Sequence, residues 1–125
     1  ALQAFAQKIE AACNIKVNLT ANIYKCFDIE TETILYRVLC ECINNTIKYA
    51  QANKIEINFD FSDNGIIIVY SDDGIGFDYD ELNSKKNGTG FSNIKSRIKI
   101  INGLIDIYSK PGKGIKIVIK IINLT

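Results

Sequence analysis

An alternating stretch in the middle of the chain limits it to folds built around a β-sheet. KIEINFDF, at residues 54–61, places an isoleucine or phenylalanine at every second position. This alternation is typical of a strand with one buried and one exposed face. The SDNG that follows contains the Asn-Gly pair of a two-residue hairpin loop. IIIVY, at residues 66–70, is apolar on both faces and supplies the partner strand. The sequence therefore predicts a central β-hairpin.

Helical patterns surround this hairpin. The strongest covers residues 31–50, preceded by Asp28 as a cap and by acidic residues that favour a helix N-terminus. The other predicted elements are a helix at residues 2–13, a strand at 15–19, a short helix at 91–101 and closing strands at 104–108 and 115–122. About five strands and three helices indicate a two-layer α/β sandwich, in which the helices cover one face of a mixed, mainly antiparallel sheet.

The composition is that of one globular domain. The 125 residues are 47% hydrophobic and have a formal net charge of +1, with 15 basic and 14 acidic side chains, so we expect no nucleic-acid binding by a basic surface. The longest apolar run, residues 66–70, is far shorter than the roughly 20 residues of a membrane-spanning helix. Four cysteines without any histidine fit no zinc site. Reduced thiols predict a cytoplasmic domain, which a full-length protein can still anchor to a membrane.

Within the long helix, ECINNTIKYA places two adjacent asparagines in an amphipathic pattern. On a wheel of about 100° per residue, Asn45 lies at the margin of the apolar side and Asn44 points to the polar side. Glu41 and Lys48 continue the stripe of Asn45, and Tyr49 lies between the stripe and the apolar arc. The arc comprises Leu35, Val38, Leu39, Cys42, Ile43, Thr46 and Ala50. Such a stripe alone is more typical of a solvated surface.

A first glycine cluster, SDDGIGFD at residues 71–78, directly follows the buried strand. Asp72 would stand at the strand end, where its carboxylate can accept a hydrogen bond from an exocyclic amine. Gly74 and Gly76 allow the backbone to approach a flat ligand closely. An ordinary Asp-Gly turn is the alternative.

A second cluster, NGTGFSNIKSR at residues 87–97, places Gly88 and Gly90 directly before a helix. The free N–H groups of a helix N-terminus suit phosphate, although a flexible loop that ends in a helix cap has the same pattern. The polar segment at residues 72–90 is long for a structureless loop, which makes it a candidate lid over a ligand.

Together, in this order, the three features resemble the ATP-binding catalytic domain of two-component sensor histidine kinases, within the GHKL superfamily of ATPases. ECINNTIKYA resembles the N box, DDGIG the first glycine box, and GTGFSNIKSRIKIINGLIDIYSKPGKG the second glycine box and closing strands. The resemblance covers about residues 28–122 of a single domain. The short segment between Gly76 and Gly88 is similar to the brief ATP lid of the nitrate-sensor and thermosensor kinases.

The resemblance implies a role for each matching residue. Asn45 would coordinate the Mg²⁺ that bridges the phosphates of ATP, Lys48 would contact those phosphates, and Glu41 would orient or deprotonate the attacking group. Asp72 would read the adenine amino group. The remaining implied contacts are Tyr49 near the nucleotide, Gly74, Ile75 and Gly76 at the floor of the pocket, and Gly88, Thr89, Gly90 and Phe91 at the lid hinge and phosphates.

The chain departs from the family pattern in two ways. Ile115 follows Gly114 where many relatives have a threonine whose hydroxyl supports adenine recognition through water, which implies a weaker affinity. The chain also contains no histidine, so the phospho-acceptor must belong to a separate module. The expected partners are a histidine-bearing dimerisation module of the same full-length protein and a response regulator. The fragment would be monomeric and the full-length protein a homodimer.

Two alternatives to a kinase remain open at this point. A degenerate domain could bind nucleotide as a regulatory scaffold without phosphotransfer. An ATPase of the gyrase or mismatch-repair type would hydrolyse ATP through dimerisation, but the brief lid disfavours it.

Overall fold

A computed structural model describes residues 16–21, 29–62, 65–76 and 91–122, together with the helical residues 7, 10 and 11. The described residues form five strands and two α-helices. In chain order these are β1 (Lys16–Ala21), α1 (Ile29–Asn45) continued by a π-helical turn (Thr46–Ala50), β2 (Lys54–Ser62), β3 (Gly65–Asp72), α2 (Phe91–Ile100), β4 (Leu104–Ser109) and β5 (Ile115–Ile122).

All five strands form one sheet in the order β1-β2-β3-β5-β4. β1 and β2 are parallel, and every other neighbouring pair is antiparallel. Because parallel neighbours cannot be joined by a tight turn, the chain crosses from β1 to β2 through α1. The mixed, mainly antiparallel sheet predicted from the sequence is therefore confirmed.

The hydrophobic core lies between the helices and one face of the sheet. Alternate residues of each strand face it, as the period of two requires. Leu39, Ile43, Ile94 and Ile98 from the helices are buried against this face. The sheet residues buried there are Val17, Ile55, Ile57, Phe61, Ile66, Ile68, Tyr70, Ile107, Ile115, Ile117, Ile119 and Ile121. This arrangement confirms the two-layer α/β sandwich.

The long helix differs from its prediction at the C-terminal end. The sequence predicts α-helix to about Ala50, whereas the α-helical part ends at Asn45 and a π-helical turn follows, closed by Gln51 in the left-handed conformation with φ of 51°. The π turn begins at Thr46, whose buried hydroxyl bonds to side chains of β3. We attribute the widening to this anchor, because single π turns accommodate an interaction that a regular α-helix would misplace.

Parts of five predictions lie outside the described residues. They are most of the opening helix, the Asp28 cap of the long helix, the two central residues of the Asn-Gly turn, residues 77–90 of the candidate lid, and Cys13 and Cys26. Ser62 and Gly65, which flank that turn, pair in register as a two-residue loop requires. Cys40 and Cys42 are free thiols. None of the helices in the described ranges is long and apolar enough to cross a membrane.

Candidate functional site

Asp72 lies at the end of the central strand β3, on the face of the sheet that the helices cover. Its neighbours in register are the buried residues Ile55 on β2 and Ile115 on β5. Both carboxylate oxygens accept a hydrogen bond. Gly74 N donates to Oδ1 at 2.9 Å, and Thr46 Oγ1 donates to Oδ2 at 2.9 Å. The half-buried carboxylate is therefore held in one orientation.

Behind Asp72, a buried network connects β3 to α1. The Tyr70 hydroxyl contacts Thr46 Oγ1 and donates to the Cys42 carbonyl oxygen at 3.0 Å. Burial raises the pKa of Tyr70 well above its usual range. A phenol is protonated at neutral pH even without this shift, and the Tyr70 hydroxyl is a hydrogen-bond donor to α1.

The two adjacent asparagines of α1 occupy different environments. Asn44 is exposed, whereas Asn45 is half-buried, which agrees with the helical wheel. Asn45 Nδ2 is completely buried and has no hydrogen-bond partner among the described residues. Buried amide groups are nearly always paired, so this one calls for a specific explanation. Asn45 directly precedes Thr46, the residue whose hydroxyl donates to Asp72.

Glu41, one turn before Asn45, pairs with a residue from the second helix. Arg97 Nη1 of α2 donates to Glu41 Oε2 at 2.5 Å, and the side chains of Arg97 and Glu41 are 36% and 26% exposed. Ion pairs that solvent reaches contribute about 1 kcal/mol or less to stability. The main effect of this pair is therefore positional, because it holds the Glu41 carboxylate at the junction of α1 and α2.

The loop after β3 rests on the turn between β4 and β5. Gly112 N donates to the Ile75 carbonyl oxygen at 2.6 Å. Gly76 has a φ of +65°, and a Cβ there would lie 2.2 Å from the Lys110 carbonyl oxygen and 2.9 Å from that of Gly114. Only glycine fits such a conformation and such a close contact. The first glycine cluster and the SKPGKG turn thus form one packed unit beside Asp72.

Gly76→Ala is expected to destabilise the fold much more than Gly112→Ala. Both positions have positive φ, but a Cβ on Gly112 would meet nothing within 4 Å. The strained backbone alone costs roughly 1–2 kcal/mol for an alanine, and overlap with fixed backbone at Gly76 should raise the total to about 3 kcal/mol or more. Urea denaturation of both variants measures the difference, and equal losses would show that the close packing around Gly76 is wrong.

The other residues singled out in the sequence have less defined environments. Lys48 is exposed on the π turn, and Ile75 is 50% exposed. Phe91 is half-buried at the start of α2 and packs against the core. The Tyr49 side chain and residues Gly88, Thr89 and Gly90 lie outside what the structure describes. The described residues therefore bring together Asp72, Gly74 and the end of α1, whereas most residues predicted to contact the phosphates lie outside the described ranges.

Three residues of this site were not predicted from the sequence. The helical wheel places Thr46 in the apolar arc of the helix, the sequence pattern predicts an apolar strand around Tyr70, and Arg97 lies in a motif that predicts no role for it. Signals for the first two were present. A hydroxyl within a buried arc needs a partner, and Tyr70 lies two positions before Asp72, hence on the same face of β3. The pairing of Arg97 with Glu41 depends on how the helices pack.

Comparison with known proteins identifies the family of this arrangement. The family model described as "Histidine kinase-, DNA gyrase B-, and HSP90-like ATPase" matches residues 30–124, most of the chain. The chain belongs to this ATPase family. The matched region contains the Glu41–Asn45 segment, Asp72 and both glycine clusters, and membership of this family implies that the domain binds nucleotide.

Curated relatives of the ATPase domain are sensor histidine kinases. The oxygen sensor histidine kinase NreB of Staphylococcus carnosus (strain TM300) is 33% identical over 115 residues, which cover 91% of this chain and 33% of NreB. The sensor histidine kinase ComP of Bacillus subtilis (strain 168) is 32% identical over 108 residues, which cover 86% of this chain and 14% of ComP. The chain therefore spans a third or less of these relatives. The resemblance to the catalytic domains of two-component kinases is confirmed.

Solved structures of histidine kinases share the fold of the ATPase domain. The histidine kinase domain of the blue-light activated histidine kinase from Erythrobacter litoralis EL346 superposes with a TM-score of 0.77 at 18% identity, and the match covers 96% of this chain and 62% of that one. The Acinetobacter baumannii histidine kinase AdeS gives a TM-score of 0.74 at 22% identity, covering 98% and 61%. At these identities the likeness extends to the fold alone.

Proposed function

We propose that residues 1–125 form a single catalytic domain that binds ATP with Mg²⁺ and transfers the γ-phosphoryl group to a histidine on a separate module. The observation that carries this proposal is the hydrogen bond from Thr46 to Asp72. This hydrogen bond joins two parts of the proposed site. One is the helix that carries Glu41 and Asn45, and the other is the end of β3, where the Asp72 carboxylate can accept a hydrogen bond from a base. The Asp72 carboxylate suits the base of a nucleotide, and the polar margin of the helix suits its phosphates.

Asp72 is proposed to recognise adenine. Its carboxylate lies at the margin of the core, and each oxygen has a second lone pair beyond the hydrogen bond that it already accepts. That capacity can accept the exocyclic amine of adenine. Gly74, Ile75 and Gly76 would form the floor beside the base, since they are fixed on the neighbouring turn through Gly112.

The proposed Mg²⁺ site at Asn45 is supported by its unpaired amide. Asn45 Nδ2 has no hydrogen-bond partner among the described residues, so the amide is not held by a structural hydrogen bond through that atom, and its oxygen can act as a ligand at the margin of the helix. The described residues include no cluster of three or more His, Cys, Asp or Glu side chains that could hold a metal by themselves. This fits Mg²⁺, which takes few protein ligands beside phosphate oxygens and water. When bound, the ion would neutralise charge on the phosphates.

The remaining site residues are proposed to act on the phosphates and on the acceptor. Lys48 is exposed and free to reach a phosphate. Gly88, Thr89, Gly90 and Phe91 would form the lid hinge and the N-terminus of α2. Tyr49 would lie near the nucleotide. Positioning and charge neutralisation are the main demands of phosphoryl transfer on a protein, and these groups provide both.

The transfer itself would convert ATP and an imidazole into ADP and a phosphohistidine. An imidazole nitrogen of the acceptor attacks the γ-phosphorus, the bond from that phosphorus to the bridging oxygen breaks, and ADP leaves with the electron pair. Glu41 would orient the imidazole or take its proton, and Arg97 holds the Glu41 carboxylate for that task. The chain has no histidine, so the acceptor must come from another module.

The proposed partners follow from this reaction. They are a histidine-bearing dimerisation module of the same full-length protein and a response regulator that accepts the phosphate in turn. We propose a cytoplasmic location, a monomeric fragment and a homodimeric full-length protein.

The decisive experiment mixes this domain with a histidine-bearing dimerisation module and ATP labelled at the γ-phosphate. A kinase yields labelled phosphohistidine on the module, which is stable in base and labile in acid. Binding of a non-hydrolysable ATP analogue without any labelled module would instead indicate a regulatory scaffold. ATP hydrolysis that rises with protein concentration would indicate an ATPase of the gyrase type. Absence of any nucleotide binding would refute the proposal.

A further inference from the structure

The Asp72 carboxylate has a side-chain donor only from the helix layer, as far as the described residues extend. Thr46 Oγ1 approaches Oδ2 at 2.9 Å, and the other donor is the backbone N–H of Gly74. On the opposite side, Ile115 of β5 is the register partner of Asp72 and is buried. An isoleucine side chain offers no hydrogen bond. The strand next to Asp72 therefore contributes packing, and the helix contributes the hydroxyl.

The direction of the hydrogen bond from Thr46 is fixed by proton count. An ionised carboxylate has no proton to donate, so the single proton of the Thr46 hydroxyl must point to Asp72. The oxygen of Thr46 is then left as an acceptor, and it faces the Tyr70 hydroxyl. The single proton of the Tyr70 hydroxyl has two acceptors within reach, Thr46 Oγ1 and the Cys42 carbonyl oxygen. When this proton points to Thr46, Tyr70 supports the orientation in which Thr46 donates to Asp72.

The burial of Thr46 keeps water from competing for its hydroxyl. Thr46 is only 3% exposed and lies on a helix face that is otherwise apolar. A buried hydroxyl without a hydrogen-bond partner would reduce the free energy of unfolding. The hydrogen bonds of Thr46 are therefore needed to offset the cost of burying its hydroxyl. The same residue begins the π turn. The local helix geometry and the hydrogen bond to Asp72 are therefore parts of one arrangement.

We propose that Thr46 is the positioning residue for base selection: its hydroxyl fixes the Asp72 carboxylate so that the carboxylate accepts an amine and rejects a carbonyl. This rests on the proposed nucleotide binding. A fixed acceptor favours the 6-amino group of adenine and repels the 6-carbonyl oxygen of hypoxanthine, because two acceptors would then face each other. A carboxylate free to rotate would discriminate less, since it could move away from the carbonyl.

The test compares ADP with inosine diphosphate, each with Mg²⁺, in calorimetric titrations of the unmutated domain and of Thr46→Val. Valine keeps the shape of threonine and removes the hydroxyl. We expect Thr46→Val to lower the affinity for ADP about 10-fold, which corresponds to about 1.4 kcal/mol. The affinity for inosine diphosphate should change less than twofold. Thr46→Ser, which retains the hydroxyl, should preserve most of the preference for ADP. It serves as the second variant if valine prevents folding, which thermal melting will reveal.

The outcomes separate this inference from the proposed function. Equal weakening of both nucleotides by Thr46→Val, or an unchanged ADP affinity in a folded variant, would overturn the role of Thr46 while leaving nucleotide binding intact. Loss of the ADP preference in Thr46→Ser would overturn it as well. If the unmutated domain binds neither nucleotide, the proposed function itself is wrong.

Discussion

Asp72→Asn is expected to eliminate ATP binding at concentrations where the unmutated domain is saturated. The substitution replaces one carboxylate oxygen by an NH₂ group, so an acceptor for the adenine amine becomes a competing donor. Loss of a hydrogen bond to a charged group costs about 1.5–3 kcal/mol, and the opposed donors add to it. We therefore expect affinity to fall about 100-fold or more, measured by calorimetric titration with a non-hydrolysable ATP analogue and Mg²⁺.

The fold should tolerate Asp72→Asn. The amide oxygen can accept from Gly74 N, and the amide NH₂ can donate to Thr46 Oγ1, so both existing contacts have a replacement. A melting temperature close to that of the unmutated domain would show that lost binding is not lost folding.

Asp73→Asn is the matched control for this prediction. The carboxylate of Asp73 is adjacent in sequence but exposed, and its Oδ1 caps the backbone N–H groups of Asn53 and Lys54 at 2.9 Å each. Asparagine retains an oxygen for these contacts, so nucleotide affinity should be unchanged. If the two variants bind ATP equally well, Asp72 does not recognise the base and the proposed orientation of the nucleotide fails.

The sheet and the burial pattern of α1 were predictable because they depend on local periodicity. Alternation in KIEINFDF specifies which residues of β2 face the helices, and the register with β3 follows from the two-residue turn. The helical wheel separated exposed Asn44 from half-buried Asn45 for the same reason. Both arguments need only the geometry of one element.

The contacts of the site depend on relations between elements, which periodicity does not contain. The wheel correctly predicts that Thr46 is buried, but it cannot show that β3 brings Tyr70 and Asp72 to its hydroxyl. The pair formed by Glu41 and Arg97 joins residues 56 positions apart in the chain. Such contacts require the packing of helix on sheet and helix on helix, which only the three-dimensional structure provides.

The π turn had no signal in the sequence and affects the proposed phosphate contact. The prediction that Lys48 continues the stripe of Asn45 requires a regular α-helix through Ala50. In a π turn the hydrogen bonds run from residue i to i+5, so side chains after Thr46 are displaced around the axis. Lys48 stays exposed there, and its role in binding phosphate remains a prediction.

Asn45→Ala is expected to reduce phosphotransfer about 100-fold or more and to change stability little. An oxygen ligand that helps a metal ion to stabilise transition-state charge is worth several kcal/mol. The fold loses less, because Asn45 Nδ2 is buried without a partner among the described residues and its removal relieves that cost. Alanine is also the better helix former. Urea denaturation and the transfer of labelled phosphate to a histidine-bearing module measure the two effects separately.

Asn44→Ala is the control for Asn45→Ala, since Asn44 is exposed on the same helix turn and should tolerate the change in both assays. A further measurement isolates the contribution of Mg²⁺ to the affinity for ATP. The affinity of the unmutated domain for ATP should rise when Mg²⁺ is added, and Asn45→Ala should lose most of that increase while Asn44→Ala retains it. Equal losses at both positions would contradict the assignment of Asn45 as ligand, because the two side chains share a helix turn and differ in their burial and direction.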